Sequence, residues 1–211
     1  MNITKKKTLS GDREIEYSWC SAKMPDGDGR ALDFGNGGSQ MGLIAAMKGY
    51  DVTALDIQDI GWRYSHPRLK FVKGDLLSIP FNESSFELVI NCSTVEHVGL
   101  IGRYGVSIEN SDGDIEAMAR LKFLMTPSAR MVMTIPVGVD KVYSPLHRIY
   151  GKIRLPLLLK GFEVLEESFW LKDDNNRWVM VDRETALSFV TDASSENALE
   201  NIYGLGCFLL N

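Results

Sequence analysis

Cysteine and histidine are both scarce, three of each in 211 residues. Cys20, Cys92 and Cys207 stand far apart with no Cys-x-x-Cys pair, which argues against a disulfide framework and a zinc knuckle and fits a reducing, cytoplasmic setting. Long apolar runs are missing as well. The greasiest stretches, 155–159 and 131–137, fall far short of the ~20 residues that cross a bilayer. Lys5, Lys6 and Lys7 have no apolar run behind them, so no signal peptide is visible. Nor is there a basic excess: 28 acidic side chains against 23 basic ones leave a net charge of −5, which disfavours a nucleic-acid partner. With no repeat, no low-complexity tract and no Pro-, Gly- or Ser-rich linker, residues 1–211 read as one domain.

What is present is ordinary globular chemistry, 45% hydrophobic and 24% charged. Short apolar runs alternate with helix-like stretches. Residues 30–34, 51–57, 69–72, 86–91 and 129–136 read as strands. Residues 39–48 read as a helix stopped by Gly49, and 114–125 as a second, with Ile115, Met118, Leu121, Leu124 and Met125 on one face. Strands interleaved with helices imply right-handed crossovers and a mostly parallel sheet covered on both sides. Beyond residue 160 the pattern changes. Strand-like runs at 162–171, 177–181 and 202–210, with a helix at 184–190, predict an antiparallel edge on that sheet. An N-terminal helical segment within 1–28, centred on Glu14-Ile15-Glu16-Tyr17-Ser18-Trp19, reads equally as a lid on the sheet end or as a helix packed on the core.

The most informative segment is Leu32-Asp33-Phe34-Gly35-Asn36-Gly37-Gly38-Ser39, where a first strand turns into a first helix. Glycines there let the backbone turn sharply and let a ligand come close, and the helix N-terminus behind them offers N–H groups to a carboxylate or phosphate. A dinucleotide fingerprint needs G-x-G-x-x-G and meets Gln40 at its third glycine, which counts against a nicotinamide-dependent oxidoreductase. Asp33, two residues before Gly35, would repel a phosphate and attract an α-amino group.

Asp-x-Gly-x-Gly-Gly after a strand resembles the first motif of class I S-adenosylmethionine-dependent methyltransferases, with Ser39 in place of the usual third glycine. The resemblance implies a Rossmann-like α/β fold, a mostly parallel seven-stranded sheet with an antiparallel C-terminal edge and helices on both faces. It implies S-adenosyl-L-methionine as cofactor. Asp56, 23 positions after Asp33, falls near the ~20-residue spacing at which an acid meets ribose hydroxyls. Asp75 and Leu76, after the third strand, would meet the adenine, and Ile57 follows the ribose acid. Asn91 and Ser93, at the end of the fourth strand, complete the expected cofactor set with Asp33, Gly35, Asn36, Gly37 and Gly38.

The fourth-strand segment, Phe-Glu-Leu-Val-Ile and then Glu96-His97, also resembles small-molecule members of that class. It lacks the Asp-Pro-Pro-Tyr of amino-methylating DNA enzymes. More narrowly, Glu96-His97-Val98-Gly99-Leu100, Gly102-Arg103-Tyr104-Gly105 and His147-Arg148-Ile149-Tyr150-Gly151 resemble a methyltransferase-like group of uncharacterised function. The expected activity is methyl transfer to an oxygen or nitrogen of a small molecule or glycan; the rival is an inactive cofactor-binding sensor or partner subunit. A hydroxyl acceptor needs a base, and His97 and His147 are both candidates, whereas His66 sits in a Ser-His-Pro turn. Tyr104 and Tyr150 are candidate acceptor-positioning hydroxyls, and Arg103 and Arg148 candidate grips for an acidic group. Asp112 and Asp114 can join His97 around Mg²⁺, but acids at a helix start more simply cap it, so no metal is expected.

Overall fold

The computed structural model describes residues 7–102, 104–191 and 202–211. Its strands are β1 (Arg30–Phe34), β2 (Asp51–Asp56), β3 (Leu69–Lys73), β4 (Phe86–Cys92), β5 (Met125–Val137), β6 (Lys141–Tyr143), β7 (His147–Ile149), β8 (Val164–Lys172), β9 (Trp178–Val181) and β10 (Gly204–Leu210). Its helices are α1 (Asp12–Lys23), α2 (Met41–Met47), α3 (Gly113–Leu124), α4 (Arg154–Leu158) and α5 (Arg183–Leu187). Among the described residues, no helix is long and apolar enough to cross a membrane.

Eight strands form one sheet in the order β3-β2-β1-β4-β5-β10-β8-β9. The first five pair in parallel, so their carboxyl ends share one edge, and β10, β8 and β9 continue the sheet antiparallel. The eight strands match the eight strand-like runs of the sequence and exceed by one the seven that the resemblance implied, with β9 paired to β8 as a hairpin at the edge. β10 is not at the rim; it is buried between β5 and β8. A further hairpin, β6–β7, stands apart from the main sheet and was not anticipated from the sequence pattern.

Helices cover both faces because their apolar residues recur at helical spacing. Met41 and Ala45 of α2 pack with Cys20 and Met24 against Ala31, Val52 and Ile90. On the other face Met118, Leu121 and Leu124 of α3 and Leu155 and Leu158 of α4 pack against Val89, Met131 and Met133. The α3 boundary lies one residue from the expected one, and β5 follows it without a loop, four residues earlier than its sequence suggests.

Arg148 is fully buried rather than set out to grip a ligand. Its Nη1 donates to the Val98 carbonyl at 2.6 Å, and its Nη2 reaches the carbonyls of Asn110 and Ser111 at 3.2 and 3.3 Å. Its Nε lies 3.7 Å from Asp114, a buried carboxylate that also accepts from the Tyr150 hydroxyl at 3.0 Å and from Arg154 Nε at 2.8 Å. Tyr150 is therefore occupied in the core, not at an acceptor. Asp114 is bound by arginines, and among the described residues no group of three His, Cys, Asp or Glu is placed to hold a metal ion. The cluster ties β7 and the start of α3 to the turn after β4, which carries the candidate site. Arg148→Met strands several buried carbonyls and weakens the compensation of Asp114, and is expected to cost about 3 kcal/mol of stability in urea denaturation. A loss under about 1 kcal/mol would show that the cluster does not hold that turn.

Candidate active site

A cavity of about 590 Å³ opens at the carboxyl edge of β1 to β4. This is where the strand order runs one way from β1 to β2 and the other way to β4, the crevice in which open α/β sheets bind ligands. The volume suits a drug-sized ligand or cofactor.

One wall is the glycine loop. Gly35, Gly37 and Gly38 all have positive φ, 65°, 56° and 80°, a region open to glycine at little cost. At Gly35 a Cβ would collide with the Thr94 side chain, so its absence lets the β1 tip lie against the turn after β4. Thr94 Oγ1 donates to the Gly35 carbonyl at 3.1 Å across the same seam. The loop amides are spent internally. Gly35 and Asn36 N–H donate to the Leu55 carbonyl, Gly37 to Asp56 Oδ2, Gly38 to Asn36 Oδ1 and Ser39 to the Asn36 carbonyl.

The expected cofactor residues divide by which side of the loop they face. Gly35, Asn36, Gly37, Asp56, Ile57, Asp75, Leu76 and Ser93 line the cavity. Asp33, Gly38 and Asn91 do not. Asp33 is buried beneath the loop, where its carboxylate accepts from the Asn36 side-chain amide and the Gly42 backbone. A ligand's ammonium cannot reach it there; it buttresses the loop. Asn91 is fully buried and accepts from Val95 N at 3.2 Å, closing the turn after β4. Asp56 accepts one N–H on each oxygen, from Gly37 and Gln58, both at 2.8 Å, which leaves further lone pairs on each.

Of the candidate bases, only His97 is on the cavity wall. It ends a single 3₁₀ turn, Val95–His97, and its ring meets Tyr104, also on the wall, at 5.2 Å between centroids. His97 Nδ1 lies 2.5 Å from the Leu146 carbonyl in the β6–β7 turn. A carbonyl can only accept, so Nδ1 carries a proton, and Nε2 is the ring's other nitrogen. Buried Glu96 sits 3.7 Å from that Nε2. His147 is instead buried on β7 between the rings of Tyr143 and Tyr203, away from the wall. Arg103 lies outside the described residues, as do Lys5 and Lys6.

Arg13 and Tyr17 of α1 also line the cavity, while Glu16 and Cys20 of the same helix are buried, so α1 both packs on the core and covers the site. Glu16 accepts from Arg13 Nη1 at 2.7 Å, from Thr134 Oγ1 at 3.1 Å and from the Ser93 hydroxyl. Burial pushes the Glu16 carboxyl up, while Arg13 and the two hydroxyls pull against it. Val106, Ile108 and Asn110 complete the wall beside Tyr104. Glu16 and Tyr17 fall in the segment read from sequence as a lid or a core-packed helix, whereas Arg13, Val106, Ile108 and Asn110 belong to no motif read from the sequence.

Burial raises the Asp33 carboxyl to about 7, against the pull of Asn36 and Gly42. The native state thus keeps a proton that the unfolded chain loses near pH 4, so this group's contribution to stability falls as pH climbs from about 4 to 7. Asp33→Asn is neutral throughout. Its stability relative to the parent is expected to rise by about 2–3 kcal/mol from pH 5 to pH 8, read as paired denaturation curves. A difference that does not vary with pH would remove Asp33 as a buried proton carrier.

A family model described as "Methyltransferase domain" matches residues 32–107, which span the glycine loop, both lining acids and His97. No curated protein sequence matches the chain. Among solved structures, the chain is similar to the 1,6-didemethyltoxoflavin-N1-methyltransferase of Burkholderia thailandensis, with TM-score 0.60, 16% identity and coverage of 99% of this chain and 80% of that one. It is also similar to a putative S-adenosylmethionine-dependent methyltransferase from Listeria monocytogenes, with TM-score 0.60, 10% identity and coverage of 94% and 98%. The [4+2]-cyclase SpnF is similar too, with TM-score 0.58, 15% identity and coverage of 96% and 82%. A second family model, described as "Caenorhabditis protein of unknown function, DUF268", matches residues 76–189, more than half of the chain. The turn after β4, the β6–β7 hairpin and α3 all fall within that match, so the chain belongs to the DUF268 family, and its fold is that of the class I S-adenosylmethionine-dependent methyltransferases it is similar to.

Proposed function

We propose that this protein transfers a methyl group from S-adenosyl-L-methionine to a hydroxyl oxygen of a small, largely apolar acceptor. The observation that carries the reading is that one cavity is walled by Asp56 and Asp75 at one end and by His97 at the other. When bound, the cofactor supplies a sulfonium-activated methyl group, so the protein's task is alignment and removal of one proton.

The residues fit the cofactor. A Cβ on Gly37 would meet only the Gly35 carbonyl, at 3.8 Å, and one on Gly38 nothing within 4 Å, so this stretch leaves room for a ligand against the main chain. Asp56 has lone pairs left for two ribose hydroxyls, a charge-assisted geometry that an amide would serve less well. Asp75 accepts from Leu77 N at 3.0 Å through one oxygen, which leaves the other for the adenine amino group. Leu76, Ile57 and Leu77 supply apolar contact for the base.

The acceptor end is lined by Val98, Tyr104, Val106 and Ile108. Those walls suit an apolar or aromatic hydroxy compound better than a sugar chain, which needs a denser set of hydrogen-bond partners. His97 Nε2 takes the acceptor's proton, and Glu96 stabilises the imidazolium that results.

His97→Ala is expected to lower turnover about 10²-fold or more while S-adenosylhomocysteine still binds. Turnover equal to the parent would remove His97 as the base. Asp56→Ala should weaken cofactor binding by about 1–3 kcal/mol in calorimetry, from lost charge-assisted hydrogen bonds; unchanged affinity would remove Asp56 from the ribose. The function itself is tested by methyl release from labelled cofactor across a panel of hydroxylated aromatics and other small molecules. Silence across the panel, with cofactor still bound, would replace the enzyme reading with that of a cofactor-binding partner subunit.

A further inference from the structure

The cofactor is a zwitterion at its amino-acid end, and its carboxylate needs a donor. The expected donors, the amides of the glycine loop, are all engaged from Gly35 to Ser39. The helix behind that loop is short, and Met41 N already donates to the Ser39 hydroxyl at 3.3 Å. The lining carboxylates, Asp56 and Asp75, would repel it. Among the described residues, the wall has one permanently charged cation, Arg13.

Its placement suits the task. Arg13 gives one N–H to Glu16, and its side chain, 51% exposed, lines the cavity. A guanidinium has five N–H donors in a planar fork that matches a carboxylate. Glu16 also accepts from Ser93, and the next residue, Thr94, donates to the Gly35 carbonyl. That run of contacts sets Arg13 over the junction of the β1 and β4 tips, beside the glycine loop.

Building on the cofactor reading above, we infer that Arg13 is the carboxylate-binding residue of this site, held in place by Glu16. Arg13, rather than the glycine loop, selects a cofactor that carries an intact amino acid.

Two probes isolate the contact. S-adenosylhomocysteine carries the carboxylate; 5′-deoxy-5′-(3-aminopropylthio)adenosine is the same molecule without it. Arg13→Met is expected to weaken S-adenosylhomocysteine about 10–100-fold in calorimetry and to change the decarboxylated probe by less than about twofold. Arg13→Lys should fall between the parent and Arg13→Met. Unchanged S-adenosylhomocysteine affinity in Arg13→Met would overturn the assignment, including the case where only the acceptor KM rises. Equal weakening of both probes would overturn it too, because it marks a disturbed nucleoside pocket. If the parent protein binds neither probe, the cofactor reading itself fails, an outcome separate from any loss confined to the Arg13 variants.

Discussion

The site depends on one close approach, the β1 tip against the turn that follows β4. Gly35 permits it because any side chain there would collide with Thr94, and the Thr94 hydroxyl then fastens the two together. The glycine loop and the 3₁₀ turn carrying His97 follow neighbouring parallel strands, so this seam sets the distance between two walls of one cavity. Sheet pairing fixes the strands only up to their tips. Beyond that, contacts between loops decide whether two halves of a site face each other.

Buried charge does the second part of the work. Asp33, Glu16, Glu96 and Asp114 are all carboxyl groups sealed under the site, and ionised groups rarely occupy such positions without partners. Each has a task set by what bonds to it. Asp33 holds the loop from below, Glu16 joins α1 to the tips of β4 and β5, and Asp114 collects two arginines and a tyrosine under the turn. Glu96 lies beside the imidazole of His97. The floor of the cavity is thus a polar layer that fixes side-chain positions, while the wall beside Tyr104 stays mostly apolar.

The parallel half of the sheet was legible because short apolar runs of four to eight residues, broken by glycines and acids, specify buried strands and their tips. The glycine loop, Asp56, Asp75 and His97 follow from those tips. Spacing could not tell which side of a tip a residue faces: Asp33 and Asn91 sit on the right strands and point into the protein, while Gly38 lies in the loop but off the wall. His147 and Arg148 were misread as site groups because their partners are carbonyls and rings far away in the chain. Arg13 was hidden for the opposite reason, as a charged residue on a short amphipathic helix whose role appears only when that helix lies across the cavity.

The claim beneath the account is that the cavity at the β1–β4 junction seats an adenosine thioether with its sulfur turned toward His97. A crystal structure grown with S-adenosylhomocysteine tests this directly. The account predicts the ribose on Asp56, the adenine between Ile57 and Leu76, and the sulfur facing the His97 and Tyr104 wall. Ligand density elsewhere on the molecule, or a nucleoside reversed so that adenine abuts His97, would contradict it.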